Sequence, residues 1–233
     1  MTEHLISIII PVYKQADHIQ NVISEYIKVV SKLKVPYEII LVVNGPADKT
    51  LAVCLALSQE YPQIQVMHTE KTGWGRAVRM GLNKSIGDIL CYVNSARTSA
   101  QDLISVLIYA LVYPDVVIKS SRKIRDNWQR RLGSLLYNLE CRALFDLSYW
   151  DINGTPKVFP RKFDKLLALS RDDDLIDAEF NIICRDNNYR VIEVPVFSTK
   201  RKGGTSTTTY SSALKMYWGA LKMWKEKKVK HAA

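Results

Sequence analysis

The sequence contains no run of the ~18 or more apolar residues that a membrane-spanning helix needs, so no span is expected along its 233 residues. No secretory leader is expected either. The apolar start at 5–12 is preceded by Glu3 and followed by no small-residue cleavage site, and it reads as a buried strand. Cysteine is sparse: Cys54, Cys91, Cys141 and Cys184 stand far apart without Cys-x-x-Cys spacing. That excludes a disulfide framework and predicts reduced, buried thiols, with a cytoplasmic location as the default. His4, His18, His68 and His231 are equally scattered, so no zinc site is expected. Internal repeats and low-complexity tracts are absent. So is a Walker A loop, because Gly45-Pro46-Ala47-Asp48-Lys49-Thr50 lacks the Gly-Lys-Thr ending.

Negative charge is in short supply. Lys and Arg number 33 against 23 Asp and Glu, a net charge of +10. Such an excess implies anionic partners: phosphates, nucleic acid or an anionic membrane surface. The basic residues gather at 119–131, 200–202 and 222–230, whereas 1–100 is closer to neutral. No nucleic-acid motif or aromatic stacking platform accompanies the charge, so nucleic acid is not an expected partner.

The length suits one sizeable α/β domain. In the first half, short apolar runs alternate with amphipathic ones. Strands are expected at 6–12, 37–43, 64–68, 89–93 and 116–119. A helix begins at Asp17 and carries Ile19, Val22, Ile23, Tyr26, Ile27 and Val30 on one face; others are expected at 49–60, 76–84 and 101–113. This alternation, with strands apolar throughout, predicts a mostly parallel sheet flanked by helices on both faces. Ligands of such sheets bind at the carboxyl ends of the strands, which marks the loops 13–17, 44–48, 73–76 and 94–98. The second half is less regular. It reads as a helix at 128–145, a loop-strand segment at 151–161, a helix at 175–185, a strand at 189–197, a glycine- and hydroxyl-rich loop at 201–209 and a helix at 211–225. The expected organisation is one domain over 1–210 and an amphipathic basic helix and tail over 211–233.

Several segments, in order, carry a resemblance. Ile8-Ile9-Ile10-Pro11-Val12-Tyr13 resembles the opening strand of family 2 glycosyltransferases, and Tyr37 to Gly45 their second strand. Gly73-Trp74-Gly75-Arg76-Ala77, then Gly81, Gly87 and Asp88, resembles their glycine-rich helix and the Gly-Asp before the fourth strand. Asp151, Gly154, Lys157-Val158-Phe159 and Arg161 resemble the later Asp-x-x-Gly-x-x-x-x-x-Arg block. Glu193-Val194-Pro195-Val196, then Arg201, Gly204 and Ser206, resembles the terminal block of the branch with dolichyl-phosphate mannose synthases. The resemblance implies a GT-A fold, a nucleotide-diphosphosugar donor and, in this branch, often a polyprenyl-phosphate acceptor. It places the donor against Pro11, Tyr13, Asn44, Asp48, Gly73, Gly75, Arg76 and Asn94. A Rossmann loop is a poor alternative, since Gly73-x-Gly75 follows the third strand and Val78 stands where the third glycine belongs.

The family's acidic pairs read differently here. Asp-x-Asp after the fourth strand is Asn94-Ser95-Ala96, and the paired aspartates after the second strand are Val43 and Asn44. A cation bridging a diphosphate wants hard anionic oxygens. Asn94 offers one neutral oxygen and Ala96 none, so magnesium or manganese is not expected to be held in the usual way. Asn44 can still meet a base edge. Three readings remain. Arg97, with Arg76 and Lys14 near, neutralises the leaving diphosphate without metal; or the chain is a binding or regulatory subunit that has lost transfer; or Asp102 or Asp88 holds the metal instead.

The acceptor is a lipid phosphate or a glycan. For a phosphate the site must supply cations and donors, and the resemblance assigns Arg122, Arg131 and Ser134 to the acceptor phosphate and Arg201, Gly204 and Ser206 to donor or acceptor phosphates. For a sugar hydroxyl it must supply a base, and Asp177, Glu179 or Asp151 is the candidate. Asp177 and Glu179, two apart, do not share a helix face. Asp172-Asp173-Asp174 reads as a solvated helix N-terminus. In the last helix, Ala213, Tyr217, Ala220 and Trp224 share one face, and Trp218 lies toward Lys222 and Lys225. That suits either packing on the domain or peripheral contact with an anionic membrane.

Overall fold

The computed structural model describes residues 4–124, 128–197, 202–203 and 210–232. Strands β1 (Ile6–Val12), β2 (Tyr37–Asn44), β3 (Ile64–Thr69), β4 (Ile89–Tyr92), β5 (Val117–Ile124), β6 (Lys157–Pro160) and β7 (Val191–Phe197) form one sheet. The helices are α1 (Ile19–Val30), α2 (Lys49–Glu60), α3 (Trp74–Lys84), α4 (Ala100–Val112), α5 (Trp128–Phe145), α6 (Ile176–Asp186) and α7 (Tyr210–Ala232). Strand order is β3-β2-β1-β4-β6-β5-β7. Strand β6 runs antiparallel to β4 and β5, and the remaining pairs are parallel.

The continuous apolar character of β1 follows from helices on both faces. Ile6, Ile8, Ile10 and Val12 pack with Val22 and Ile23 of α1 and Leu103 and Val106 of α4. Ile9 points the other way, into a second core with Val78 and Leu82 of α3 and Phe180 of α6. Helix α1 buries Ile19, Val22, Ile23, Tyr26 and Val30, the face its period marked. A third core joins Tyr137 and Cys141 of α5, Ala178 and Ile182 of α6, and Ala220 and Met223 of α7.

Strand β5 runs well past the expected 119. The extension, Ser120-Ser121-Arg122, is polar and gives no apolar signal. Register with β7 from Val117↔Val191 to Ile124↔Phe197 holds it in the sheet, and tertiary pairing overrides local pattern. Helix α7 is docked rather than detached: Tyr217 donates from its hydroxyl to the Gly133 carbonyl at 2.6 Å. Among the described residues, no helix is long and apolar enough to cross a membrane.

Candidate functional site

The carboxyl ends of β1, β2 and β4 meet at one edge of the sheet, and short polar side chains tie them together. Asn44, at the end of β2, is buried; its amide nitrogen donates to the Val12 carbonyl at 3.1 Å and its amide oxygen accepts from Gly73 N–H at 3.2 Å. Its amide therefore staples β1 and β2 to the start of α3 rather than presenting an edge to a base. Asp48 caps α2 by accepting from Thr50 N–H at 2.8 Å. Pro11 is buried within β1, opposite Val42. Tyr13 is half-buried and lies against Gly45, with the Lys14 ammonium 5.4 Å from its ring centre.

The start of α3 needs its glycines. Gly73 has φ +151°, and a Cβ there would lie 2.4 Å from the Asp172 carbonyl oxygen. At Gly75 it would lie 2.3 Å from the Arg171 carbonyl oxygen. Arg76 and Arg79 both donate to Asp172, at 2.5 and 2.6 Å. Arg76 is thus anchored to the loop before α6, and Asp172 is an ion-pair centre rather than a merely solvated carboxylate. Asp173 braces the turn before α6 by accepting from Leu175 N–H at 3.0 Å.

The turn after β4 folds on itself. The Asn94 side-chain oxygen accepts from Ala96 N–H at 3.1 Å, and its carbonyl accepts from Arg97 and Thr98 N–H at 3.2 and 3.0 Å. Ser95 is buried and donates to Gln15 at 2.7 Å. The Ala96 carbonyl accepts from the backbone N–H of Lys202 at 3.0 Å. Lys202 also pairs with Glu25 at 2.5 Å. Gly203 fits so closely that a Cβ would lie 2.5 Å from His18 Nδ1. Lys202 therefore lies against the β4 turn. Arg97 is half-buried at the end of that turn.

Beneath the other half of the sheet lies a buried ionic network. Lys119 and Lys157, both on strands, are fully buried. Asp177, 5 % exposed, accepts from Lys157, from the Tyr92 hydroxyl at 2.9 Å and from the Trp74 indole at 3.2 Å. Asp151 accepts from Arg122 three times: from the backbone N–H at 2.8 Å, Nε at 2.7 Å and a terminal nitrogen at 2.5 Å. Lys119 donates to the Trp150 carbonyl at 2.9 Å and Asn181 at 3.0 Å, and pairs with Glu193 at 3.4 Å. Desolvation pushes Lys119 down to about 8, partly offset by Glu193. Burial likewise lowers Lys157, against the pull of Asp177.

The described chain matches the family model "Glycosyl transferase family 2" over residues 7–167. It belongs to glycosyl transferase family 2. An undecaprenyl-phosphate 4-deoxy-4-formamido-L-arabinose transferase of Proteus mirabilis is 22% identical over 220 residues, covering 93% of this chain and 66% of that protein. The protein of the same name from Pectobacterium atrosepticum is 24% identical over 220 residues with the same coverage. The chain thus spans just under two thirds of the length of these relatives. Among solved structures, glucosyl-3-phosphoglycerate synthase from Mycobacterium tuberculosis, in complex with Mn2+, uridine diphosphate and phosphoglyceric acid, superposes with a TM-score of 0.73 at 16% identity. That overlap covers 94% of this chain and 76% of the synthase, and it establishes the GT-A fold.

That solved neighbour carries Mn2+, so the fit of this chain's residues to a divalent cation can be tested. The oxygen that Asn94 offers is neutral and already accepts from Ala96 N–H. The Ala96 side chain offers nothing, and its carbonyl is taken by Lys202. Asp102 closes a capping box with Ser99. Asp88 accepts from Leu5 N–H at the amino end of β4, the wrong edge of the sheet. Among the described residues, no group of three or more His, Cys, Asp or Glu side chains is arranged to hold a metal. The donor set does not suit a hard divalent cation.

The structure separates the other expected site residues. Asp177 points inward and Glu179 does not: Glu179 accepts from Ser170 and Arg171 N–H at 3.0 Å each, bracing the loop before α6. Arg122 joins Asp151 in the network. Arg131 is exposed and Ser134 half-buried on α5. Arg201, Gly204 and Ser206 lie outside the described residues. Sequence reading gave no role to Lys119, Lys157, Tyr92, Trp74 or Asn181. A lysine inside a strand flanked by apolar residues was the available signal, because it must be either exposed or paired.

Proposed function

We propose that this family 2 protein takes a sugar from a nucleotide-diphosphosugar and joins it, with inversion, to the phosphate of a polyprenyl phosphate, without a divalent cation. One observation carries the choice of acceptor: every carboxylate that sequence offered as a general base is already engaged. Asp151 holds Arg122, Asp177 holds Lys157, and Glu179 holds the backbone of 170–171. A sugar hydroxyl needs a base to take its proton. A phosphate monoester does not, since its second pKa is near ~6 and it is largely a dianion at neutral pH. Two similar proteins are named for transfer to undecaprenyl phosphate, which supports the same choice.

In this reading an acceptor phosphate oxygen attacks the anomeric carbon from the face opposite the leaving group. The bond from that carbon to the diphosphate oxygen breaks, and the nucleoside diphosphate leaves with the electron pair. No proton has to move. The donor lies at the carboxyl edge of β1, β2 and β4, with Arg97 and the Lys202 segment beside its diphosphate. Arg122 and Arg131 serve the acceptor side. A lipid acceptor brings the chain to a membrane surface, on its cytoplasmic side.

The self-contained turn at Asn94 and Ala96 favours one second reading, an interaction or regulatory subunit that keeps the fold but has lost transfer and no longer takes a nucleotide sugar. Thermal-shift titration with a panel of nucleotide sugars, in EDTA and in Mn2+, tests both. Stabilisation by a donor, equal in EDTA, agrees with the proposal. Stabilisation abolished by EDTA contradicts the metal-free reading, and a folded protein stabilised by no donor leaves the second reading.

A further inference from the structure

Helix α5 buries Tyr137, Cys141 and Phe145 on one side. Its opposite side exposes Leu132, Leu135, Leu136 and Leu139 at 48, 43, 50 and 46%. Their spacing of three, four and seven places them on one face, so four leucines form a stripe turned away from the core. One apolar face of this helix is therefore packed on the protein, and the other is exposed among the described residues.

Helix α7 repeats the arrangement. Ala220 and Met223 are buried, while Leu214, Trp218 and Val229 are 61, 72 and 69% exposed. Lys215, Lys222 and Lys225 are exposed on the same outward side. The two helices lie side by side, since Tyr137 and Tyr217 meet edge-on with ring centres 5.7 Å apart. Helix α5 follows β5, whose end pairs with the end of β7 at Phe197, itself 63% exposed.

We infer that the outward faces of α5 and α7 together form a docking surface for an anionic phospholipid bilayer. Leucines supply the inserted area, a tryptophan sits at headgroup depth, and lysines meet the anionic lipid. Charge argues against a second copy as the occupant, because each chain carries +10 and like charges repel. The inference deepens the lipid-phosphate reading and rests on it for its purpose: α5 follows the strand that carries Arg122, and the surface would hold the cleft at the level of lipid phosphates.

Sedimentation with vesicles tests it without any donor. The full chain should pellet with vesicles of phosphatidylcholine mixed with phosphatidylglycerol and far less with phosphatidylcholine alone. Leu135→Gln with Leu139→Gln, and separately Lys222→Gln with Lys225→Gln, should weaken that binding by about tenfold or more. Trp218→Ala, at the most exposed of these positions, is an independent variant whose fold is not at risk, and it should weaken binding too. Equal pelleting of all variants and parent, or no pelleting of the parent, overturns the inference. So does a leucine variant that turns a dimer into a monomer in sedimentation velocity while vesicle binding is unchanged. Nucleotide-sugar binding by the same proteins in solution should be unaltered; its absence from the parent would sink the transferase reading and leave the vesicle result standing.

Discussion

Arg122 grips Asp151 through its backbone N–H, Nε and a terminal nitrogen, at 2.8, 2.7 and 2.5 Å. A carboxylate so engaged orients a cation and is poorly placed to take a proton. Asp151→Asn keeps an oxygen for Arg122 and should lower transfer to a phosphate acceptor by about tenfold or less. Loss of a true general base costs ~10²–10⁴-fold. The pH profile of kcat/KM decides: it should follow the acceptor phosphate near ~6 in both proteins, and a limb that vanishes only in the variant would identify Asp151 as the base.

Lys157 and Asp177 are coupled in burial. Removing one partner strands the other, which costs ~3–5 kcal/mol, whereas replacing both by apolar residues costs much less. Lys157→Met and Asp177→Leu should each lower unfolding free energy by that amount in urea titrations. The double variant should be more stable than either. Additive losses would contradict the pairing.

Lys119 gives the fold an alkaline signature. Its folded-state value is about 8 against an ordinary 10.5, chiefly from desolvation. Between those values the unfolded chain binds more protons, so stability rises with pH. The gain relative to Lys119→Met should begin near pH 8 and reach roughly 3 kcal/mol by pH 10.5, at ~1.4 kcal/mol per unit. A difference that stays flat across this window would contradict the assignment.

Gly203 packs closely against Asp17 and His18, next to Lys202 on the β4 turn. A Cβ at this position would lie 2.5 Å from His18 Nδ1 and 2.8 Å from Asp17 Oδ2. Gly203→Ala should loosen the bond from Lys202 to the Ala96 carbonyl and weaken donor binding by about tenfold, with little change in Tm. Calorimetric titration reads the affinity, and an unchanged value would exclude a role in donor binding.

The sheet was legible because its strands are apolar on both faces, as in Ile8-Ile9-Ile10, and because α1 and α3 keep strict helical periods. The donor edge was legible as a set of loops, yet the duties of single residues were not. Asn44, Asp48 and Arg76 have polar groups suited to a ligand, but the nearest backbone and carboxylate partners take them first. Those partners, Val12, Gly73, Thr50 and Asp172, are fixed by tertiary approach, which local pattern does not encode. Strand β6 was only a loop-strand segment in sequence, since Lys157 opens it and just Val158 and Phe159 are apolar. Its burial depends on Asp177, twenty residues onward.

The central claim is transfer to a lipid phosphate without a divalent cation. Its most direct measurement is formation of lipid-linked sugar from radiolabelled nucleotide-diphosphosugars and undecaprenyl phosphate in mixed micelles, with EDTA or with Mn2+. The account predicts product for one donor at the same rate in both. Product that appears only with Mn2+, or no product from a folded protein that binds the donor, would contradict it.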